Sequence, residues 1–190
     1  MTEWTLSDVE RLSALTDADR TFQMTEDAFR VFYELTARPV WLYLARMTGD
    51  RRLADDLLQD AYYRFLRTTT HFESDDHRRN YLFRIATNLV YDQRRKRSAR
   101  VVTVDEAESV LEASGETADQ VARRLDVTRA MARLKPRERS LLWLAYAQGA
   151  SHEEIAEILG LKRASLKMML FRARRRLMAA LGTEPRGRQR

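Results

Sequence analysis

Apolar residues recur at three- and four-residue steps along most of the chain, the spacing of helices that bury one stripe. From about Thr25, the positions Phe29, Phe32, Tyr33, Thr36, Val40 and Leu44 mark a first helix. Pro39 falls inside it and predicts a kink or a break, because proline removes a backbone donor and crowds the preceding turn. Gly49-Asp50 closes that element and caps the next. Residues 51–67 predict a second helix with Leu53, Leu57, Ala61 and Phe65 in line. The polar run TTTHFESDDHRR reads as a loop. A third helix follows at about 78–97, with Leu82, Ile85, Ala86 and Leu89 inward. Helical spacing resumes near Ala118, and Pro136 suits the first turn of a helix that supplies Leu141, Leu142, Leu144 and Ala145.

With only 6 glycines and 3 prolines in 190 residues, few turns are left for a sheet. The fold class predicted is all-α: two small helical domains joined by a flexible acidic linker. The division is an N-terminal arm (1–24), a first helical domain (25–98), the linker (99–120), a second helical domain (121–182) and a basic, disordered tail (183–190). Charge draws the same lines. Residues 61–100 carry 10 Lys/Arg against 4 Asp/Glu, residues 161–190 carry 10 against 1, and residues 101–120 hold 6 acids and no Lys or Arg. Two cationic faces on a short chain predict two contacts with one nucleic acid, since neutralised phosphates release condensed counterions.

The second cationic block contains a helix-turn-helix. Ser151 and Glu154 have the spacing of a capping box. Ile155, Ala156, Ile158 and Leu159 form the buried stripe, and Gly160 stands where a left-handed residue ends the helix. A second helix begins near Arg163 with Leu166, Leu170, Ala173 and Leu177 inward. Such a second helix enters the DNA major groove. Its outward face comprises Ala164, Ser165, Met168, Phe171, Arg172 and Arg175, flanked by Lys167, Arg174 and Arg176. Arg163, Ser165, Lys167, Met168, Arg172, Arg174 and Arg175 are the candidate duplex contacts.

In the first block, Asp56, Gln59 and Asp60 lie at i, i+3 and i+4 on one helical stripe, which can accept hydrogen bonds from a basic partner, although such a pattern by itself more often marks a solvated face. In the next helix Arg84, Thr87, Asn88, Tyr91 and Arg95 are expected to project away from the buried stripe. Cationic, amide and aromatic groups so interleaved suit unpaired bases. Tyr81 and Phe72 are further stacking candidates and serve equally as core residues; Asp92 is placed to brace Asn88 or Arg95.

Catalysis is not expected. His152-Glu153-Glu154 lacks the second histidine of a zinc-protease helix, and no phosphate-binding loop occurs. His71, His77 and His152 lack metal-ligand spacing, so neither a catalytic residue, a metal nor a cofactor is predicted. Absent cysteines suit a cytoplasmic protein. The opening residues MTEWTLSDVE carry no secretory pattern, and no apolar run suggests membrane insertion. Two binding roles compete: a regulator using the helix-turn-helix alone, and a protein-interaction adaptor favoured by Met168, Met169 and Phe171.

RLADDLLQDAYYRFLR followed by YLFRIATNLVYDQRRKR resembles region 2 of an extracytoplasmic-function (ECF) sigma factor, and LKPRERSLLWLAYAQGASHEEIAEILGLKRASLKMMLFRARRRL resembles region 4. The resemblance implies a subunit that binds bacterial RNA polymerase core and directs promoter-specific initiation. Asp56, Gln59 and Asp60 would bind the polymerase clamp. Asn88, Arg94 and Arg95 would contact the −10 element, and Lys167, Arg172 and Arg174 the −35 element of promoter DNA. The linker would thread toward the polymerase active-site cleft, and an anti-sigma factor is an implied partner. Three departures stand out: Tyr81 replaces the usual Trp, residues 168 and 169 are both Met, and Phe171 is apolar on an outer face.

Overall fold

The computed structural model describes residues 24–99 and 117–182. Those residues form seven helices and no strand: α1 (Glu26–Thr48), α2 (Arg51–Leu66), α3 (Asp75–Ala99), α4 (Ala118–Ala132), α5 (Pro136–Tyr146), α6 (His152–Leu159) and α7 (Arg163–Ala180). The all-helical expectation holds. The arm up to residue 23, the acidic stretch 100–116 and the tail 183–190 lie outside the described residues.

Local chemistry sets the helix ends. Thr25 Oγ1 accepts from the Ala28 N–H, and Asp50 Oδ1 accepts from the Leu53 N–H at 3.1 Å. Each satisfies a donor that the first turn would otherwise leave unpaired. Gly49 ends α1 at φ 73°, a left-handed value that glycine adopts without Cβ strain. Pro136 occupies the first turn of α5, where no N–H is needed.

Two expectations are corrected here. Of the kink or break expected at Pro39, the break does not occur: α1 is one helix through that residue. Proline there removes the donor that would serve the Leu35 carbonyl; Leu35 is 71% exposed, so that turn faces water. The buried Val40, Tyr43 and Leu44 hold the following turns in place. The loop after α2 is also shorter than expected. Asp75, Asp76, His77 and the two arginines that follow already belong to α3, whose first-turn acids complement the helix dipole.

α1, α2 and α3 pack on one another around Phe32, Val40, Leu44, Ala54, Leu57, Ala61, Phe65, Leu82 and Ala86. Phe32 stacks on Phe65 at 5.0 Å between ring centroids, and Phe65 on Phe72 at 5.5 Å. Phe72 is therefore a core residue. Tyr62 shares a 2.6 Å hydrogen bond with Thr36, and burial pushes its phenol up to about 12. The remaining helices form a second cluster, with α5 and α6 both against α7 through Leu141, Leu144, Ile155, Leu166 and Leu170.

The two clusters dock. α6 lies on α3, and α5 touches α1. Tyr43 (α1) donates a hydrogen bond to Ser140 Oγ (α5) at 3.0 Å, Tyr91 (α3) donates to the same oxygen at 3.3 Å, and Ser140 donates to Met47 Sδ. Ser140 and Tyr43 have no solvent exposure. Arg46 reaches Thr128 at 2.7 Å and lies over the Trp143 ring. At the other end of the seam Arg79 pairs with Glu154 at 2.9 Å, while Asn80 donates to Glu157 at 3.3 Å.

Candidate nucleic-acid and partner interfaces

The helix-turn-helix forms as the pattern requires. Ser151 Oγ accepts from the Glu154 N–H at 3.2 Å, and Glu154 Oε2 accepts from the Ser151 N–H at 2.7 Å. Burial alone would raise the Glu154 carboxyl's pKa. Hydrogen bonds from Ser151 and Arg79 outweigh that and hold it below the usual carboxylate range. Gly160 ends α6 at φ 59°, and its N–H bonds back to the Glu157 carbonyl. After a two-residue turn α7 starts at Arg163 and buries Leu166, Leu170 and Ala173.

That burial turns the opposite face of α7 outward. Arg163, Ser165, Lys167, Met168, Arg172, Arg174 and Arg175 are all exposed. Arg163 pairs with Glu153 across the turn, and Arg176 with Glu138 on α5. These pairs hold the helix against its neighbours and leave Lys167, Arg172, Arg174 and Arg175 facing solvent.

On α2, Asp56 and Gln59 are exposed, and Asp60 is half-buried and gripped by both ends of the Arg64 guanidinium at 3.0 Å. A bidentate pair one turn away fixes the carboxylate's direction. The stripe is thus an acid–amide surface set on a rigid helix.

On α3 the outcome is mixed. Arg84, Asn88, Arg94 and Arg95 are exposed, and Asp92 pairs with Arg95, not with Asn88. Thr87 does not project away: it is 1% exposed, 2.8 Å from the Tyr43 hydroxyl, and donates to the Phe83 carbonyl. Tyr91 is half-buried, its hydroxyl held by Ser140, and burial pushes its phenol up. Tyr81 is half-buried, edge-on to Phe72 at 5.3 Å and 3.1 Å from Thr68 Oγ1. α3 is covered by α1, α2 and α6, so the directions away from its main stripe are not all free.

The seam residues Tyr43, Asn80, Ser140, Glu154 and Glu157 escaped the sequence reading as inter-domain groups. Each resembles an ordinary polar position of an amphipathic helix, and only the docking of the two clusters brings them together. Among the described residues no group of His, Cys, Asp and Glu side chains is placed to hold a metal ion, and no helix is long and apolar enough to cross a membrane.

Comparison with known proteins places both clusters in one lineage. The sigma-70 region 2 family profile matches residues 32–100, and the sigma-70 region 4 profile matches residues 124–177. The ECF RNA polymerase sigma factor SigM of Bacillus subtilis is 34% identical over 151 residues, covering 77% of this chain and 91% of that protein. SigL of Mycobacterium tuberculosis is 30% identical over 158 residues, covering 80% and 88%. Among solved structures, the sigma factor RpoE of Bartonella quintana, in complex with the anti-sigma factor NepR, superposes with a TM-score of 0.70 at 24% identity, over 84% of this chain and 99% of that one. CnrH, in complex with the cytosolic domain of CnrY, gives 0.59 at 26% identity over 88% and 96%. Two family profiles in the order of the two helical clusters, and relatives matched across both, make this chain a member of the ECF sigma factors of the sigma-70 family.

Proposed function

We propose that this chain binds bacterial core RNA polymerase and directs initiation at a defined promoter class, with each helical cluster contributing one DNA contact. Residues 25–98 act as region 2 and residues 121–182 as region 4, joined by the acidic stretch between them. Asp56, Gln59 and Asp60 meet the polymerase clamp. Arg84, Asn88, Arg94 and Arg95 hold the −10 element, and trapping bases outside the duplex there offsets the few kcal/mol that unstacking costs. Lys167, Arg172, Arg174 and Arg175, with Arg163 and Ser165 at the helix start, engage the −35 duplex.

One observation carries the reading. The acid–amide stripe of α2, with Asp56 and Gln59 exposed and Asp60 half-buried, reaches the surface of the same chain as the exposed cationic faces of α3 and α7. A regulator working through its helix-turn-helix alone leaves the first two unexplained. The docked arrangement adds a step. α3 packs on α6 and α6 on α7, so the axes of the reading helices lie at most roughly 20 Å apart at ~10 Å per packed pair. Elements centred about 25 base pairs apart are separated by about 85 Å at ~3.4 Å per base pair. The α3–α6 seam must therefore open on a promoter, and opening also frees Tyr91 from Ser140. An anti-sigma factor, of the kind bound by the superposed RpoE, would hold the chain off polymerase.

The test is transcription with purified core enzyme and a randomised promoter library. A one-to-one complex that starts from a shared sequence motif is the expected result. Failure to join core, or starts without sequence preference, would overturn the proposal.

A further inference from the structure

The outward row of α7 is apolar where a reading helix is usually polar. At ~100° per residue, Ala164, Met168, Phe171 and Arg175 fall within roughly 60° of one another, opposite the buried Leu166, Leu170 and Ala173. This row is the part of the helix that would reach deepest into a groove. Met168 is 53% exposed and Phe171 49% exposed. Lys167 and Arg174 stand on one flank of the row and Arg172 on the other, all exposed, with Arg176 beyond Arg172 paired to Glu138.

A methyl, a thioether and a phenyl ring cannot use the donor–acceptor code of base edges. The major groove offers one apolar feature, the thymine C5-methyl group. A groove ~12 Å wide admits a helix of ~10–12 Å diameter, which sets flanking cations against both phosphate walls. Cations on both sides of an apolar row match a duplex, with phosphates along its rims and methyl groups along its floor.

Resting on the assignment of α7 to the −35 duplex, we infer that Met168 and Phe171 are specificity residues that read thymine methyl groups. The preference of region 4 here is thus for a thymine-bearing stretch, with Arg175 supplying the row's one charged contact further along.

The test uses the full chain and a duplex site selected from a randomised library, rebuilt with deoxyuridine in place of each thymine. At the contacted positions the wild type should lose about fourfold in affinity per methyl, the ~0.8 kcal/mol of a buried methyl group at ~1.4 kcal/mol per decade. Met168→Ala and Phe171→Ala should each abolish the thymine–deoxyuridine difference at a distinct position while leaving the salt dependence unchanged. Both side chains are half-exposed, and circular dichroism will confirm that the variants fold. Equal wild-type affinity for thymine and deoxyuridine sites, or variants that still tell them apart, would overturn the inference. If salt-dependent, site-specific binding persists in that case, the −35 assignment survives; absence of any site-specific duplex binding would remove both.

Discussion

Tyr43 and Ser140 stand 97 positions apart in sequence and share a 3.0 Å hydrogen bond with no solvent exposure at either residue. The bond joins α1 of the first cluster to α5 of the second. Around it, buried Thr87, the half-buried Tyr91 and the Met47 thioether complete a small hydrogen-bonded cluster. A buried hydroxyl left without a partner costs more than a surface bond gains, so this cluster favours one docking geometry over its neighbours.

Tyr43→Phe should therefore destabilise the docked protein by about 1–2 kcal/mol, because Ser140 and Thr87 both lose a partner in a dry site. Urea denaturation measures this, with Tyr63→Phe as control. The Tyr63 hydroxyl accepts from Arg67 on an exposed face, and its loss should cost only a few tenths of a kcal/mol.

Acid should loosen the seam. Glu154 is held below the usual carboxylate range, so its contribution is fully present above its unfolded pKa and is lost as pH falls through the lower folded value. Stability measured from neutral pH downward should fall more steeply for the wild type than for Glu154→Gln. Parallel curves would mean that the Ser151 and Arg79 contacts do not favour the ionised form.

Gly160→Ala tests the turn. An added Cβ there meets nothing within 4 Å, so the cost comes from the backbone alone at φ +59°. A loss of about 1–2 kcal/mol is expected in denaturation, from the left-handed penalty of an L-residue. Gly160→Asn should cost less, since asparagine tolerates that region better.

Asp60→Ala should weaken binding to core polymerase while leaving duplex affinity unchanged, as measured by polymerase titration beside a duplex binding assay. Arg64 loses its bidentate partner in this variant, so Asp60→Asn is the companion that keeps the side chain's shape. Unchanged core affinity in both would remove the α2 stripe from the polymerase contact.

Arg172→Ala should weaken duplex binding across all sequences and lower the slope of log affinity against log salt by about one. An unaltered slope would take Arg172 out of the phosphate contacts.

The sequence by itself determined what depends on near neighbours in the chain. The capping box of Ser151 and Glu154, the left-handed Gly160 and the stripe of α7 are set by residues within a few positions, and each formed as the spacing required. Tertiary structure alone decided which polar positions face water. A helical wheel assumes one buried stripe, but α3 is packed by α1, α2 and α6, and so Thr87 turns inward, while Tyr91 is half-buried with its hydroxyl on Ser140 of α5. Likewise α1 continues through Pro39 because packing on both neighbouring helices holds the flanking turns. The contacts that lock the two clusters together join residues 49 to 97 positions apart, and no local period encodes a partner at that distance.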